Sequence, residues 1–163
     1  MNATDLETKN LRLVPKTLAD VHAMIEAMTA GEKAQLSADW LALVRGAVSA
    51  DPWIHGFSMV HRDNDVVVGM AGFKGPPGAD GMVEIAYGVV PEHQGKGYAT
   101  EAAEALAAYA FASGRVRVVR AHTAPVSNAS TRVLTKCGFR HTGEVIDPED
   151  GLVWQWEKVP SVI

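Results

Sequence analysis

The sequence predicts a single mixed α/β domain spanning residues 1–163, and two observations support this prediction. Short runs rich in Val, Ile and aromatic residues recur along the chain, and the early ones are joined by compact turns. The later runs are separated by longer segments with helical spacing, which is typical of crossover connections. We therefore expect a twisted mixed sheet of about seven strands flanked by about four helices.

The N-terminal third is predicted to hold one strand and two helices. Alternating apolar residues over 8–15 indicate an edge strand that stops at Pro15. Thr17 is a suitable N-cap for a following amphipathic helix, which we expect to end at Gly31. Apolar residues at helical spacing predict a second helix over 32–49, before Asp51-Pro52 breaks the pattern.

The middle of the chain is predicted to form a hairpin followed by a third strand. Residues 56–62 and 66–74 read as strands, and Asp63-Asn64-Asp65 between them favours a tight turn. A loop rich in Gly and Pro over 75–81 precedes a strand over 82–90, which Pro91 ends. An Ala-rich helix over 98–112 follows.

The C-terminal part alternates strands and a helix. Gly114 ends the Ala-rich helix, and Val residues flanked by Arg predict a strand over 116–123. A helix is expected over 128–136, stopped by Cys137-Gly138. Two final strands are expected over 139–145 and 152–159, so hairpins come early in the chain and crossovers late.

Two glycines in the turn between the 82–90 strand and the next helix suggest a phosphate-binding loop. Gly95 and Gly97 can adopt positive φ, and the first turn of a helix offers unpaired N–H groups to an anion. The turn is neither a Walker loop nor a dinucleotide-binding fingerprint. Taken alone, the glycines are weak evidence, because any tight turn between a strand and a helix can use them without a ligand.

Composition restricts the functional classes. The net charge of −4 and the absence of a basic run disfavour non-specific nucleic-acid binding, and no apolar stretch approaches the 18 residues of a membrane span. The polar N-terminus and single cysteine, Cys137, lead us to expect a cytoplasmic protein. The six histidines lack metal-ligand spacing, so no metal is expected.

Three motifs in order carry a resemblance to a known family. The run 89–102 closely resembles the acyl-CoA pyrophosphate loop of the GNAT superfamily of N-acyltransferases, with Gln94, Gly97 and Ala99 at the motif positions. Residues 8–13 and 83–89 are similar to the first and central strands of its Rim-type branch, the ribosomal-protein-alanine N-acetyltransferase-like group. Residues 128–139 are similar to the terminal signature of that branch.

The resemblance implies a sheet splayed at its centre around the pantetheine arm of acetyl-CoA. The cofactor-binding residues that it implies are Val89, Val90, Gln94, Gly95, Lys96, Gly97, Tyr98, Ala99, Thr100, Asn128 and Ser130. One departure concerns the branch asparagine, because its position is occupied by Ser127 and Asn128 comes one residue later. Ser130 falls in register.

Catalytic roles are expected for three residues, each with a simpler alternative. Glu84 is the one acid inside the apolar central strand and is the candidate base acting through a water, unless it points to solvent. Ser130 is the candidate hydrogen-bond donor to the leaving sulfur, although it could equally belong to a helix cap. Tyr87 is an alternative donor or a packing residue, and the Val89 amide is expected to polarise the carbonyl.

The resemblance implies an acetyl-CoA-dependent N-acetyltransferase in which a primary amine attacks the thioester directly. The acceptor is expected to be a peptide or protein α-amine or a small amine, with Trp40, Trp53 and Phe73 as candidate acceptor contacts. No nucleic-acid or membrane partner is expected, and the protein is expected to be a monomer or homodimer. The alternatives are a catalytically silent acyl-CoA sensor or scaffold and a nucleotide-binding protein.

Overall fold

The computed structural model describes residues 5–148 and 150–160. Its strands are β1 (Leu6–Glu7), β2 (Leu11–Pro15), β3 (Phe57–His61), β4 (Val67–Phe73), β5 (Met82–Val89), β6 (Val118–Thr123), β7 (Arg140–Asp147) and β8 (Gly151–Lys158). Its α-helices are α1 (Leu18–Glu26), α2 (Ala30–Ala34), α3 (Ala38–Gly46), α4 (Pro52–His55), α5 (Tyr98–Ala112) and α6 (Ala129–Lys136).

The strands form one mixed sheet in the order β1-β2-β3-β4-β5-β6-β8-β7. Every neighbouring pair is antiparallel except β5 and β6, which run parallel. That parallel pairing covers three residue pairs, from Met82 with Val118 to Glu84 with Arg120. Beyond Glu84 the two strands separate, so the sheet opens into a gap at its centre, as the resemblance implied.

The core between the sheet and α5 determines which face of β5 is free. Val83 and Ile85 of β5 are buried with the α5 residues Ala102, Ala103, Leu106, Ala107 and Ala110. Because side chains alternate along a strand, Glu84, Ala86 and Gly88 lie on the opposite face. This alternation places the one acid of the strand on the face that α5 leaves open.

Glu101 in the first turn of α5 joins that helix to the N-terminal strands. Its carboxylate accepts hydrogen bonds from the Thr8 hydroxyl at 2.6 Å, the Asn10 amide at 2.8 Å and the Asn10 side chain at 2.7 Å. Burial raises the pKa of Glu101, but these hydrogen bonds outweigh burial and hold the pKa below its usual value. The ionised carboxylate is therefore a structural tie between β1, β2 and α5.

The structure corrects four expectations about the N-terminal third. The strand predicted as an edge, now β2, lies between β1 and β3, and Pro15 ends it while paired with Phe57. Helix α1 ends at Glu26, and Gly31 lies inside α2 instead. The single helix expected over 32–49 is two helices. The Ser37 hydroxyl caps the second one by accepting a hydrogen bond from the Trp40 amide. Helix α4, capped by Asp51, was not predicted.

The remaining elements follow the prediction closely. Thr17 caps α1 through a capping box with Asp20, and Asp65 in the β3–β4 turn has positive φ of 58°. Helix α5 has the predicted bounds, and the later strands and α6 lie within one or two residues of theirs. The sheet has eight strands rather than seven because β1 adds two residues at its edge, and the short α2 and α4 raise the helix number to six.

We predict that Gly69→Ala strongly destabilises the fold. A Cβ at Gly69 would overlap the carbonyl oxygen of Gly88 and lie 3.0 Å from the Cα of Val89, so β4 would have to move away from β5. Overpacking of this kind costs about 1–3 kcal/mol, which corresponds to a loss of about 3–10 °C in Tm for a chain of this size. Thermal denaturation checks this. The matched control is Gly88→Ala, where a Cβ meets nothing within 4 Å, and an equal loss in both variants would contradict the prediction.

We predict that Glu101→Gln destabilises the fold at neutral pH and has little effect in acid. The folded pKa of Glu101 lies below its unfolded value of about 4.3, so its contribution is present above that value and is lost as pH falls through the folded pKa. Thermal melts from pH 7.5 to 3 should show a loss of about 3–8 °C that shrinks on acidification. Glu104→Gln, an exposed position on the same helix, is the control. A pH-independent loss would contradict the role of the charge.

Candidate active site

A cleft of about 800 Å³ lies on the open face of the sheet. Its floor is formed by the open-face residues of β4 and β5, including Met70, Gly72, Glu84, Ala86 and Gly88. Residues of α1, α3 and the segment between α2 and α3 line one wall, and the end of β7 lines another. The four small or flexible residues of the floor leave room above the sheet for a ligand of moderate size.

Four charged or ionisable side chains form a cluster in this cleft. Lys74 Nζ lies 3.0 Å from Glu84 Oε2, and the same oxygen lies 3.4 Å from His122 Nδ1. His122 Nδ1 is also 3.5 Å from Asp147 Oδ2. The side chains of Glu84 and His122 are only 18% and 12% exposed, so Glu84 faces the cleft and not bulk solvent.

The cluster pairs two carboxylates with one ammonium and one imidazole. Burial lowers the pKa of Lys74. This effect is outweighed by the hydrogen bond and charge of Glu84 and by the charges of Asp147 and Asp150, so the pKa of Lys74 lies above its usual value. Lys74 is therefore charged at neutral pH and stabilises the Glu84 carboxylate. A carboxylate and an imidazole in contact are suited to accepting and passing on a proton.

His122 is a site residue that the sequence reasoning missed. It was grouped with the other histidines because no metal-ligand spacing connected them, yet it shares a sheet face with Glu84. Since Glu84 pairs with Arg120 in the parallel register, alternation puts His122 on the same face two residues further along. The polar residues Arg120 and His122 within an otherwise apolar strand were the available signal.

The gap between β5 and β6 exposes main-chain groups of β5. The Val90 amide donates to Val68 O and the Lys74 amide donates to Glu84 O, so even-numbered β5 residues bond to β4. In an antiparallel ladder, the odd-numbered residues then direct their N–H groups to the other side. The Val89 amide therefore points into the gap, while its carbonyl accepts a hydrogen bond from Gln94 Nε2 at 2.9 Å.

The glycine turn leads from this gap into α5. Gly95 and Gly97 have positive φ values of 78° and 85°, as the sequence predicted. Gly97 is the N-cap of α5 and provides no side-chain cap, so the amides of the first turn at Tyr98, Ala99 and Thr100 lack a capping acceptor. A Cβ at either glycine would meet nothing within 4 Å, which leaves space for an anion beside these amides.

The other predicted site residues lie away from the charged cluster. Tyr87 alternates to the α5 face of β5, where burial and the neighbouring Cys137 raise its pKa to about 12. The Asn128 side chain caps α6, because its Oδ1 accepts a hydrogen bond of 3.1 Å from the Thr131 amide. Ser130 is half-buried in the first turn of that helix and has no hydrogen-bonded partner among the described side chains. Lys96 and Val90 are exposed beside the glycine turn.

Two of the three aromatic candidates for the acceptor line the cleft. Trp40 and Phe73 border it, and Trp40 Nε1 donates to Ile54 O at 2.7 Å. Trp53 instead belongs to the core, where its ring lies 4.5 Å from Phe73 and 5.1 Å from Tyr109.

Cys137 is also structural in character, since burial raises the pKa of its thiol to about 11 and keeps it protonated.

A family model described as an acetyltransferase (GNAT) domain matches residues 10–140. The chain belongs to the GNAT acetyltransferase family. It is 35% identical over 94 residues to the uncharacterized N-acetyltransferase YjdG of Bacillus subtilis, a match that covers 58% of this chain and 54% of that protein. The p20 protein of Bacillus licheniformis is 32% identical over 93 residues, covering 57% and 52%. The chain thus spans about half the length of these curated relatives.

Solved structures share the fold over nearly the whole chain. A GNAT-family acetyltransferase from Bordetella pertussis superposes with a TM-score of 0.67 and 26% identity, covering 96% of this chain and all of that one. RimL, a ribosomal L7/L12 α-N-protein acetyltransferase solved with coenzyme A, has a TM-score of 0.69 and 16% identity, covering 96% and 98%. The Rim-type resemblance of the motifs therefore extends to the fold.

Two further searches of the described residues gave negative findings. None of the helices between residues 5 and 160, residue 149 aside, is long and apolar enough to cross a bilayer. No group of three or more His, Cys, Asp or Glu side chains in the same residues is arranged to hold a metal ion.

Proposed function

We propose that this domain transfers the acetyl group of acetyl-CoA to a primary amine by direct attack of the amine on the thioester. The observation that carries the proposal is the gap between β5 and β6, which has a phosphate-binding turn at one end and the buried Glu84 carboxylate on the cleft side. Membership of the GNAT family supports this reading. The polypeptide supplies two different halves of the site.

The donor half consists largely of main-chain groups. The uncapped amides of Tyr98, Ala99 and Thr100 and the positive end of the α5 dipole would hold the pyrophosphate, with Lys96 close by. Gln94 keeps the turn attached to β5 through Val89 O. The Val89 amide would donate to the carbonyl oxygen as negative charge develops on it, in the manner of an oxyanion hole.

The acceptor half consists of side chains in the cleft. An α-amine with a pKa of about 7.7–8.0 is roughly a tenth neutral at pH 7, so it needs modest help to lose a proton. Glu84 would accept that proton through a water, and His122 at 3.4 Å would pass it to solvent. Lys74 lies 3.0 Å from Glu84 and orients its carboxylate, and Asp147 orients the imidazole.

The leaving sulfur would be stabilised from the other side of the sheet. As the nitrogen–carbon bond forms and the carbon–sulfur bond breaks, one amine proton reaches the base, and the departing thiolate takes up a proton from solvent to end as a thiol. Tyr87 has a pKa of about 12 and stays protonated, so it is suited to donating a hydrogen bond to the sulfur while keeping its proton. At the start of α6, the Ser130 hydroxyl has no hydrogen-bond partner among the described residues and would be a second donor to the sulfur, with Asn128 close to it in sequence.

We predict that Gly97→Asp abolishes acetyl-CoA binding while Gly97→Asn reduces it only modestly. The two side chains are nearly isosteric and both tolerate the left-handed conformation, so the difference isolates a negative charge beside the pyrophosphate. Calorimetric titration with acetyl-CoA, beside ATP and NAD, measures the effect, and we expect at least tenfold weaker binding for the aspartate. Equal affinities in the two variants, or preference for ATP or NAD, would contradict the role of the turn.

We predict that Glu84→Gln and His122→Asn each lower kcat at least tenfold and leave acetyl-CoA affinity within about threefold, because both act on the amine proton. If the two residues form one relay, the double variant should lose little more than the worse single variant. The measurement is the rate of thiol release with a panel of amines, including peptides with free α-amines. Acetyl-CoA binding without turnover on any amine would indicate the silent sensor instead.

A further inference from the structure

Two hydrogen-bond donors lie in the acceptor cleft away from the charged cluster, and the chemistry proposed above does not use them. They are Lys16, which follows β2, and His55, which ends α4. Both line the same cleft as Glu84. A cation and an imidazole that line a largely apolar wall can both donate hydrogen bonds to a ligand that carries an acceptor.

His55 is the more deeply buried of the two. The residue is only 4% exposed, and its Nδ1 accepts a hydrogen bond of 2.9 Å from the Asp51 amide. A ring nitrogen that accepts a hydrogen bond carries no proton, so this geometry assigns Nε2 as the donor of the ring, while Nδ1 also lies 3.2 Å from Asp51 O. Nε2 is buried and has no hydrogen-bond partner among the described residues, although a buried donor without a partner costs about 1–3 kcal/mol.

Lys16 is a partly buried cation without a bonded carboxylate. Its Nζ contacts the sulfur of Met24 at 3.8 Å, and no carboxylate oxygen of the described residues lies within 4 Å of it. Burial lowers its pKa, an effect that the charge of Asp20 partly offsets. Asp20 itself is occupied as the capping partner of Thr17. The ammonium therefore remains available to an anion in the cleft.

The sheet places these donors within reach of Glu84. The Lys16 amide donates to Gly56 O at 2.9 Å, and Gly56 adjoins the Gly72 backbone, where an added Cβ would lie 3.3 Å from Cα. Gly72 pairs with Ala86, two residues from Glu84 on the same face. Three strand spacings and two residues of rise separate the two backbone positions by about 16 Å, and the reach of the Lys16 and Glu84 side chains and of the proposed water shortens the span that a ligand must cover.

We propose that Lys16 and His55 form a subsite for a carboxylate of the acceptor, so that the acceptor is a short peptide with a free C-terminus and not a protein N-terminus. This inference rests on the function proposed above. An extended dipeptide spans about 7 Å from its amine to its carboxylate, which suits the shortened span between Glu84 and the two donors. Its side chains would contact the apolar wall that includes Met24, Leu36, Trp40 and Ile54.

The test compares alanyl-leucine with alanyl-leucinamide, which differ only in the carboxylate. In the wild-type enzyme we expect kcat/KM for the free acid to exceed that for the amide at least tenfold. Lys16→Met should remove most of this preference by lowering the value for the acid while leaving that for the amide within about twofold. His55→Gln should act in the same direction, and Lys33→Met, an exposed lysine outside the cleft, is the matched control.

A binding measurement separates failure of the subsite from failure of the proposed reaction. Calorimetric titration with N-acetyl-alanyl-leucine and with its amide requires no turnover. In the wild type and the Lys33→Met control, we expect the acid to bind at least tenfold more tightly than the amide. In Lys16→Met, we expect this difference in affinity to be lost. Carboxylate-dependent binding without acetylation of any amine would support the subsite and overturn the reaction. If the enzyme acetylates amines but has equal kcat/KM for the acid and the amide, the proposed subsite is wrong and the proposed reaction stands. Equal affinity for the two acetylated products would also contradict the subsite.

Discussion

The three-residue parallel pairing of β5 with β6 is the constraint on which the rest of the structure depends. A longer pairing would close the sheet and satisfy the β5 amides, and a shorter one would separate the two halves of the domain. At its observed length, the pairing holds Glu84 beside Arg120 and brings His122 within reach of Glu84. It also leaves the amide of Val89 facing an open gap. Fold and candidate chemistry therefore arise from one local feature of strand geometry.

Packing around this gap keeps it from closing. Helix α5 has six buried residues, four of them alanine, in the core that also holds Val83 and Ile85 of β5. Alanine allows a close approach of the helix to the sheet, which fixes the start of the helix and its amides relative to β5. Glu101 fixes the same helical turn to the N-terminal strands through three hydrogen bonds. The first turn of α5, which follows Gly95 and Gly97, is thus held against both β5 and the N-terminal strands.

Local signals in the sequence predicted most of the fold and the geometry of the turn that we propose as the donor half of the site. The capping box at Thr17, the hairpin turn before Asp65 and the positive φ of Gly95 and Gly97 are each determined by a few neighbouring residues. The break at Ser37 was missed because apolar residues keep helical spacing across it, so a single longer helix satisfied the same pattern. The two-residue β1 is too short to produce any alternation.

The acceptor half was less accessible because it depends on contacts between distant segments. His122 gains its meaning only from the register of β6 against β5, and Asp147 reaches it from the end of another strand. Lys16 and His55 are separated by 39 positions and meet because the Lys16 amide bonds to Gly56. No spacing rule in a single sequence connects such residues. Glu84, by contrast, was conspicuous as an acid within an apolar strand.

The order of strands in the sheet has a consequence for synthesis of the chain. Strand β7 pairs with the sheet through β8, which follows it in sequence and inserts between β6 and β7. A nascent chain that has emerged as far as β7 therefore possesses the glycine turn and Glu84 but cannot yet hold Asp147 beside His122. The charged cluster therefore gains its fourth member only after β8 has left the ribosome and paired with β6.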